Sequence, residues 1–181
     1  ELRAEGLFQQ GMQRYREGSA ESLRQAIALW QEAAPLFEAA GNLTRQASAL
    51  NNMGSVYGLL GERQKALPYY EQVLLIRREL GHRRGEADAL STLGGVSNDL
   101  GDKESALNYF NQSLMLRREL GDRAGEAVTL RGLGLLAYSL GDKEEAFSYY
   151  NQALPLSREI GDKRTESSVL NGLGLVYYSL G

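Results

Sequence analysis

Residues 81–120 read GHRRGEADALSTLGGVSNDLGDKESALNYFNQSLMLRREL, and residues 121–160 read GDRAGEAVTLRGLGLLAYSLGDKEEAFSYYNQALPLSREI. Aligned without a gap, 21 of these 40 positions are identical. The spacing extends beyond this pair. Gly41, Gly81, Gly121 and Gly161 lie 40 residues apart, as do Gly61, Gly101, Gly141 and Gly181, and Gly54, Gly94, Gly134 and Gly174. A fixed period of roughly 20–50 residues marks a repeat architecture. It also accounts for the composition. There are 21 glycines in 181 residues, well above the usual ~7%, and an aperiodic chain with that content would read as loop.

Each period contains two helices. Between Leu43 and Leu60, apolar residues fall at Ala47, Leu50, Met53, Tyr57 and Leu60, with the three- and four-residue gaps of one helix face. A second helix over Arg63–Leu80 carries Ala66, Leu67, Tyr70, Val73, Leu74 and Leu80 on one side. Gly61 and Gly81 end these helices, because glycine takes positive φ at the position after a helix without a Cβ penalty. In later periods Asp102, Asp122, Asp142 and Asp162 follow the turn glycine and are expected to N-cap the next helix. Strand patterns are absent, so the chain reads as all-α with about nine helices. Gly54, Gly94, Gly134 and Gly174 sit mid-helix, where glycine costs about 1 kcal/mol relative to alanine. Their recurrence predicts close helix–helix approach, with Ala66, Ala106 and Ala146 as the small partners.

Composition narrows the function. Lys and Arg number 20 against 23 Asp and Glu, a net charge of −3. That balance gives little pull toward a phosphate backbone, and no nucleic-acid partner is expected. With no cysteine, disulfides, thiol nucleophiles and Cys-based zinc sites are excluded. One histidine excludes multi-His metal sites. No apolar run approaches the roughly 20 residues of a membrane span, and no signal peptide opens the chain. The expected setting is cytoplasmic, without membrane, metal or cofactor. No Gly-x-Ser-x-Gly elbow appears. Gly132-Leu-Gly134 and Gly172-Leu-Gly174 lie within helices rather than after strands, so they are not phosphate loops. His82 fills a turn position taken by Asp122 and Asp162 in later periods and reads as a solvated turn residue. Glu86, Glu104, Glu126 and Glu144 recur as cap or surface residues. The pairs Arg77-Arg78 and Arg117-Arg118 complement helix C-termini. No catalytic constellation is present.

These residues resemble the tetratricopeptide repeat family. Its pattern of Leu-x2-Leu-Gly-x2-Tyr, then Ala-x3-aromatic, then Ala is filled by Leu50, Met53, Gly54, Tyr57, Ala66, Tyr70 and Val73. Leu90, Leu93, Gly94, Ser97, Ala106, Phe110 and Ser113 follow, then Leu130, Leu133, Gly134, Ala137, Ala146, Tyr150 and Ala153. Leu170, Leu173, Gly174 and Tyr177 close the series. A divergent first repeat supplies Leu7, Gly11, Ala26, Trp30 and Ala33, with three extra residues in the turn around Gly18–Glu21. The pattern's terminal proline is missing, with Arg78 and Arg118 in its place. The period is 40 rather than 34. This longer form resembles the repeats of kinesin light chains, of Pins-type polarity adaptors, and of bacterial signalling arrays that carry CHAT or regulator domains.

The resemblance implies a right-handed α-solenoid, a single array with repeats at about 1–40, 43–82, 83–122 and 123–162 and a truncated 163–181. It implies a concave face lined by the first helix of each pair. The family's contact slots fall on Phe8 and Met12, on Asn51 and Ser55, on Ser91 and Asn98, on Arg131, Leu135 and Tyr138, and on Asn171, Leu175 and Tyr178. Further slots fall on Tyr15 and Arg16, on Gly58 and Leu59, on Gly95 and Asp99, on Ser139 and on Ser179. These positions differ from repeat to repeat while the core positions do not. Asn51 and Asn171 suit an extended backbone, and Arg131 suits a carboxylate. Only Arg131 matches the paired donors of chaperone-tail-binding relatives, so that ligand class is not expected. The function expected is a non-catalytic scaffold that binds a peptide or helix of a partner protein. The alternative is a self-associating or spacer array. Leu170, Leu173, Val176, Tyr177 and Leu180 form an apolar face without a following helix, which suggests a fragment of a larger protein and a possible homo-oligomer contact.

Overall fold

The structure is a computed structural model that describes the backbone of residues 1–180 and the side chains of residues 1–179. The expected turn glycine Gly181 and the side chain of Leu180 lie outside the described residues. Among the described residues there are nine helices and no strand. They are α1 (Leu2–Glu17), α2 (Ala20–Ala39), α3 (Leu43–Leu59), α4 (Arg63–Glu79), α5 (Arg83–Leu100), α6 (Lys103–Glu119), α7 (Arg123–Leu140), α8 (Lys143–Glu159) and α9 (Lys163–Leu180). The fold is all-α. The chain divides into two compact units, Glu1–Gly85 and Glu86–Gly181.

The turns are built as expected. Gly41, Gly61, Gly81, Gly101, Gly121, Gly141 and Gly161 all have positive φ. After each, the next residue's amide reaches back to a carbonyl five residues earlier, as from Asp142 to Ala137 at 3.0 Å, closing a Schellman motif. The aspartate then caps the following helix. Asp142 Oδ1 accepts from the Glu145 amide at 2.9 Å, and Asp162 Oδ1 from the Thr165 amide at 3.1 Å. Links this short make consecutive helices antiparallel neighbours. One expectation changes here. The three extra residues of the first repeat are not in its turn, which is only Gly18-Ser19. They lengthen α2, which has 20 residues against 17 in α4, α6 and α8. Ser19 caps it through the Ser22 amide.

Unit 1 is centred on Trp30, which has no exposed surface. Its indole N–H donates to the Phe8 carbonyl at 3.2 Å. The Phe8 ring lies 6.3 Å from Trp30 and 6.1 Å from Phe37, edge-on to the latter. Unit 2 is centred on Phe110 and Tyr150, packed among Leu130, Leu133, Leu136 and Val176. Gly54, Gly94 and Gly134 do mark close approach, and the atoms nearest to them belong to aromatic rings. A Cβ on Gly134 would stand 2.6 Å from the Tyr150 ring, one on Gly94 2.8 Å from Phe110, and one on Gly54 2.8 Å from Tyr70. Ala66, Ala106 and Ala146 are buried, four residues before those rings. Gly132 and Gly172 add a second contact, under Phe110 and Tyr150 respectively. Phe110 and Tyr150 are therefore each seated on a glycine of their own repeat and one of the next. Gly174 faces open space.

Arg117 lies in the last turn of α6, as expected, but it is buried there, its residue 5% exposed. Its guanidinium donates to Asp122 at 2.7 Å and to Asp88 at 2.8 Å, and its Nε to Ser113 at 3.3 Å. Ser113 in turn donates to the Ala87 carbonyl at 2.8 Å, joining α6 to α5. A Cβ on Gly125 would lie 1.6 Å from the guanidinium, so this buried cation requires glycine at the start of α7. Arg77 and Gly85 repeat the combination one period earlier, where the Arg77 guanidinium lies 3.3 Å from His82 Nδ1. His82 is thus exposed in its turn, as expected, but is not without a neighbour.

Candidate functional site

The site expected on the first helices resolves differently in the two units. In unit 1, Phe8 is buried against Trp30 and Phe37, with the Arg45 guanidinium 5.0 Å above its ring. Expected to be exposed, it is a core residue, because the large indole beside it draws it inward. Met12 is half-buried, and its sulfur accepts from Asn52 at 3.4 Å. Asn51 is exposed and Ser55 half-buried. Two clefts of this unit are lined by other residues. One runs between α1 and α2 at Gln10, Gln13, Arg14, Gln25, Ala28 and Leu29, and one between α3 and α4 at Tyr57, Lys65, Pro68, Tyr69 and Gln72.

In unit 2 a cleft of about 260 Å³ opens between α5 and α7. Ser91, Asn98, Arg131 and Leu135 all line it, together with Gly95 and Asp99. Six contact positions from two helices, 40 residues apart in register, therefore meet in one place. Thr92, Val96, Val128, Gly132 and the edge of Phe110 complete the wall. Sequence reasoning missed these. Gly132 had a signal, because it shares a register with Gly172.

The cleft wall is mainly apolar with a few polar groups. Lys103 donates to both oxygens of Asn98, at 2.7 Å to Oδ1 and 3.1 Å to the carbonyl. With Oδ1 engaged, the Asn98 amide offers its N–H groups. The Gly95 position adjoins nothing within 4 Å, so the floor there is open. Arg131 is half-buried and, among the described residues, has no ion-pair partner. Its positive charge acts on Tyr150, where burial pushes the phenol up and Arg131 partly opposes that shift. A half-buried guanidinium without a carboxylate is a ready anion-binding group, since part of its desolvation is already done.

Tyr138, Asn171, Leu175 and Tyr178 lie outside this cleft, on α7 and α9. Tyr138 packs partly against the core. Leu135, Leu175 and Tyr178 are exposed by 45%, 51% and 90%. On α9, Leu173 and Val176 are buried, while Leu170 and Tyr177 remain exposed. The Tyr177 ring stands edge-on to Phe147 at 5.4 Å. Among the described residues no group of three His, Cys, Asp or Glu side chains could hold a metal ion. No described helix is long and apolar enough to cross a membrane.

The tetratricopeptide repeat model matches residues 15–79, 45–119, 85–159 and 126–181. No curated protein sequence matches the chain. Solved structures do. The apo form of RapI superposes with a TM-score of 0.88 at 20% identity over 98% of this chain and 64% of its own. A Rap protein complexed with competence and sporulation factor gives 0.77 at 21% identity, over 97% of this chain and 48% of its own. A kinesin-light-chain-like protein of Podosopora anserina with nearly identical TPR-like repeats gives 0.77 at 14%, over 98% and 88%. The chain thus spans less than two thirds of either Rap protein. Likeness at these identities establishes the fold.

Proposed function

Because the chain belongs to the tetratricopeptide repeat family, whose fold is an all-α solenoid of helix pairs, we propose that it is a non-catalytic scaffold for protein partners. It receives a peptide segment of the partner against the first helices of unit 2. One observation carries this reading. The cleft between α5 and α7 gathers Ser91, Asn98, Leu135 and the ion-pair-free Arg131 around an open floor at Gly95. A purely packing surface has no use for a half-buried cation without a partner. The fold supports it too, since a Rap protein of this architecture holds competence and sporulation factor.

The test blocks the cleft without touching the core. Leu135 and Leu175 show that leucine is accepted at the register of Gly95, and a Cβ there meets no atom within 4 Å. Gly95→Leu should keep the helical circular-dichroism spectrum and melting temperature. It should weaken peptides selected against the natural chain by at least about tenfold, roughly 1.4 kcal/mol. Unchanged binding would remove the cleft as the site.

A second reading, self-association through α9, draws on its exposed Leu170 and Tyr177. Light scattering across concentration tests it. A dimer abolished by Tyr177→Ser and indifferent to Gly95→Leu would put this reading first.

A further inference from the structure

We infer that unit 2 reads a two-part signature in an extended segment: one Asp or Glu side chain bound by Arg131, and a large apolar side chain about three residues away. This rests on the proposed function and specifies its ligand. The first part follows from charge. Arg131 is the cation lining the cleft, and among the described residues it has no ion pair. One side-chain carboxylate is complementary to that single guanidinium.

The second part follows from register. Positions 95, 135 and 175 are Gly, Leu and Leu, and positions 98, 138 and 178 are Asn, Tyr and Tyr. Passing from α5 through α7 to α9, the same surface changes from small and polar to exposed and apolar. Leu135 belongs to both regions, since it lines the cleft and is 45% exposed. Leu175 and Tyr178 continue the apolar side on α9, which packs directly on α7.

Distance sets the spacing. Packed helices lie roughly 8–10 Å apart, and an extended chain advances about 3.3 Å per residue. One helix-to-helix step therefore corresponds to about three residues. The cleft itself excludes a helical ligand. A helix with side chains is about 10–12 Å across, whereas about 260 Å³ admits only a few side chains.

Short random peptides displayed on phage, with free and with blocked C-termini, are selected against the 181-residue chain. The signature predicts enriched sequences that pair Asp or Glu with Leu, Ile or Phe at a separation of two to four residues. Arg131→Glu should exchange the acidic preference for Lys or Arg and leave the apolar one. Leu175→Ser should do the reverse, weakening the apolar preference alone. Enriched peptides without that pairing, or with it at random separations, would overturn the signature and leave peptide binding intact. A requirement for a free C-terminus would overturn the side-chain assignment. No enrichment over the Gly95→Leu variant would overturn both the signature and the proposed function.

Discussion

Glycine plays three different roles in this chain, and each answers differently to alanine. At the turns the role is backbone conformation, with φ near +60 to +85°. At Gly134 it is space. A Cβ there would lie 2.6 Å from Tyr150, and a buried ring cannot retreat without disturbing its neighbours. Gly134→Ala should cost about 1–3 kcal/mol, read as a lower urea midpoint. Gly58, inside α3, has nothing within 4 Å, so Gly58→Ala should stabilise by about 0.5–1 kcal/mol through helix propensity. The two mutations look alike in sequence and should move stability in opposite directions. At Gly125 the role is to admit a buried cation. Removing the Arg117 guanidinium takes from Asp122, 7% exposed, the partner held at 2.7 Å. Arg117→Ser alone should therefore cost about 3 kcal/mol. Adding Gly125→Thr copies the next period, where Ser157 and Thr165 are buried instead, and should recover part of that loss in the same denaturation measurement.

The helices were legible as elements because each carries its own start and stop. The Gly-Asp junctions place α6, α7, α8 and α9 to the residue, since both the left-handed turn and the side-chain cap are local interactions. Asp142→Ala removes the bond from the Glu145 amide and should cost about 1 kcal/mol, seen as a lower melting temperature. Local signals failed where the outcome depended on a second element. The three residues added to the first repeat look like a longer turn, yet Ser19 caps early and they extend α2. The burial of Arg117 at its helix end was not legible because its partners come from different elements. Asp88 is on α5 and Asp122 precedes α7, with separations of 29 and 5 residues. The pairing of Arg77 with Gly85 and of Arg117 with Gly125 was a visible clue. It needed a structural reason before it could be read.

Across the whole molecule, charge makes stability depend on pH in both directions. The Lys65 and Arg158 partners hold Glu62 and Glu166 below the ordinary carboxylate range, and the Ser105 and Thr165 groups do so for Asp102 and Asp162. Carboxyls with depressed folded-state values contribute stability above their unfolded pKa. They lose it as pH falls through the depressed value. Burial raises Tyr57, Tyr70, Tyr149 and Tyr150. Their contribution is complete below the ordinary tyrosine value and fades as pH rises through the raised one. Melting temperature should thus be level through neutrality and fall below about pH 4 and above about pH 10. A maximum at pH 4 would contradict this charge assignment. The Arg131 cleft stands apart from these effects, because among the described residues Arg131 has no ion pair to lose. Its substitution should change binding with little change in stability.

The sequence by itself determined the period, the helical class, the turn chemistry, the core positions and the family. Each depends on interactions within one repeat or on a pattern that recurs 40 residues later. It also nominated Ser91, Asn98, Arg131 and Leu135 separately. Only the tertiary structure decided that these four meet in one cleft, that Phe8 leaves the surface for the core, and that aromatic rings lie nearest to Gly54, Gly94 and Gly134. The physical reason is that side-chain volume and charge are satisfied by neighbours from other helices. A periodic pattern specifies which face of a helix is apolar, but not which ring fills the space above a glycine, or which carboxylate reaches a buried arginine.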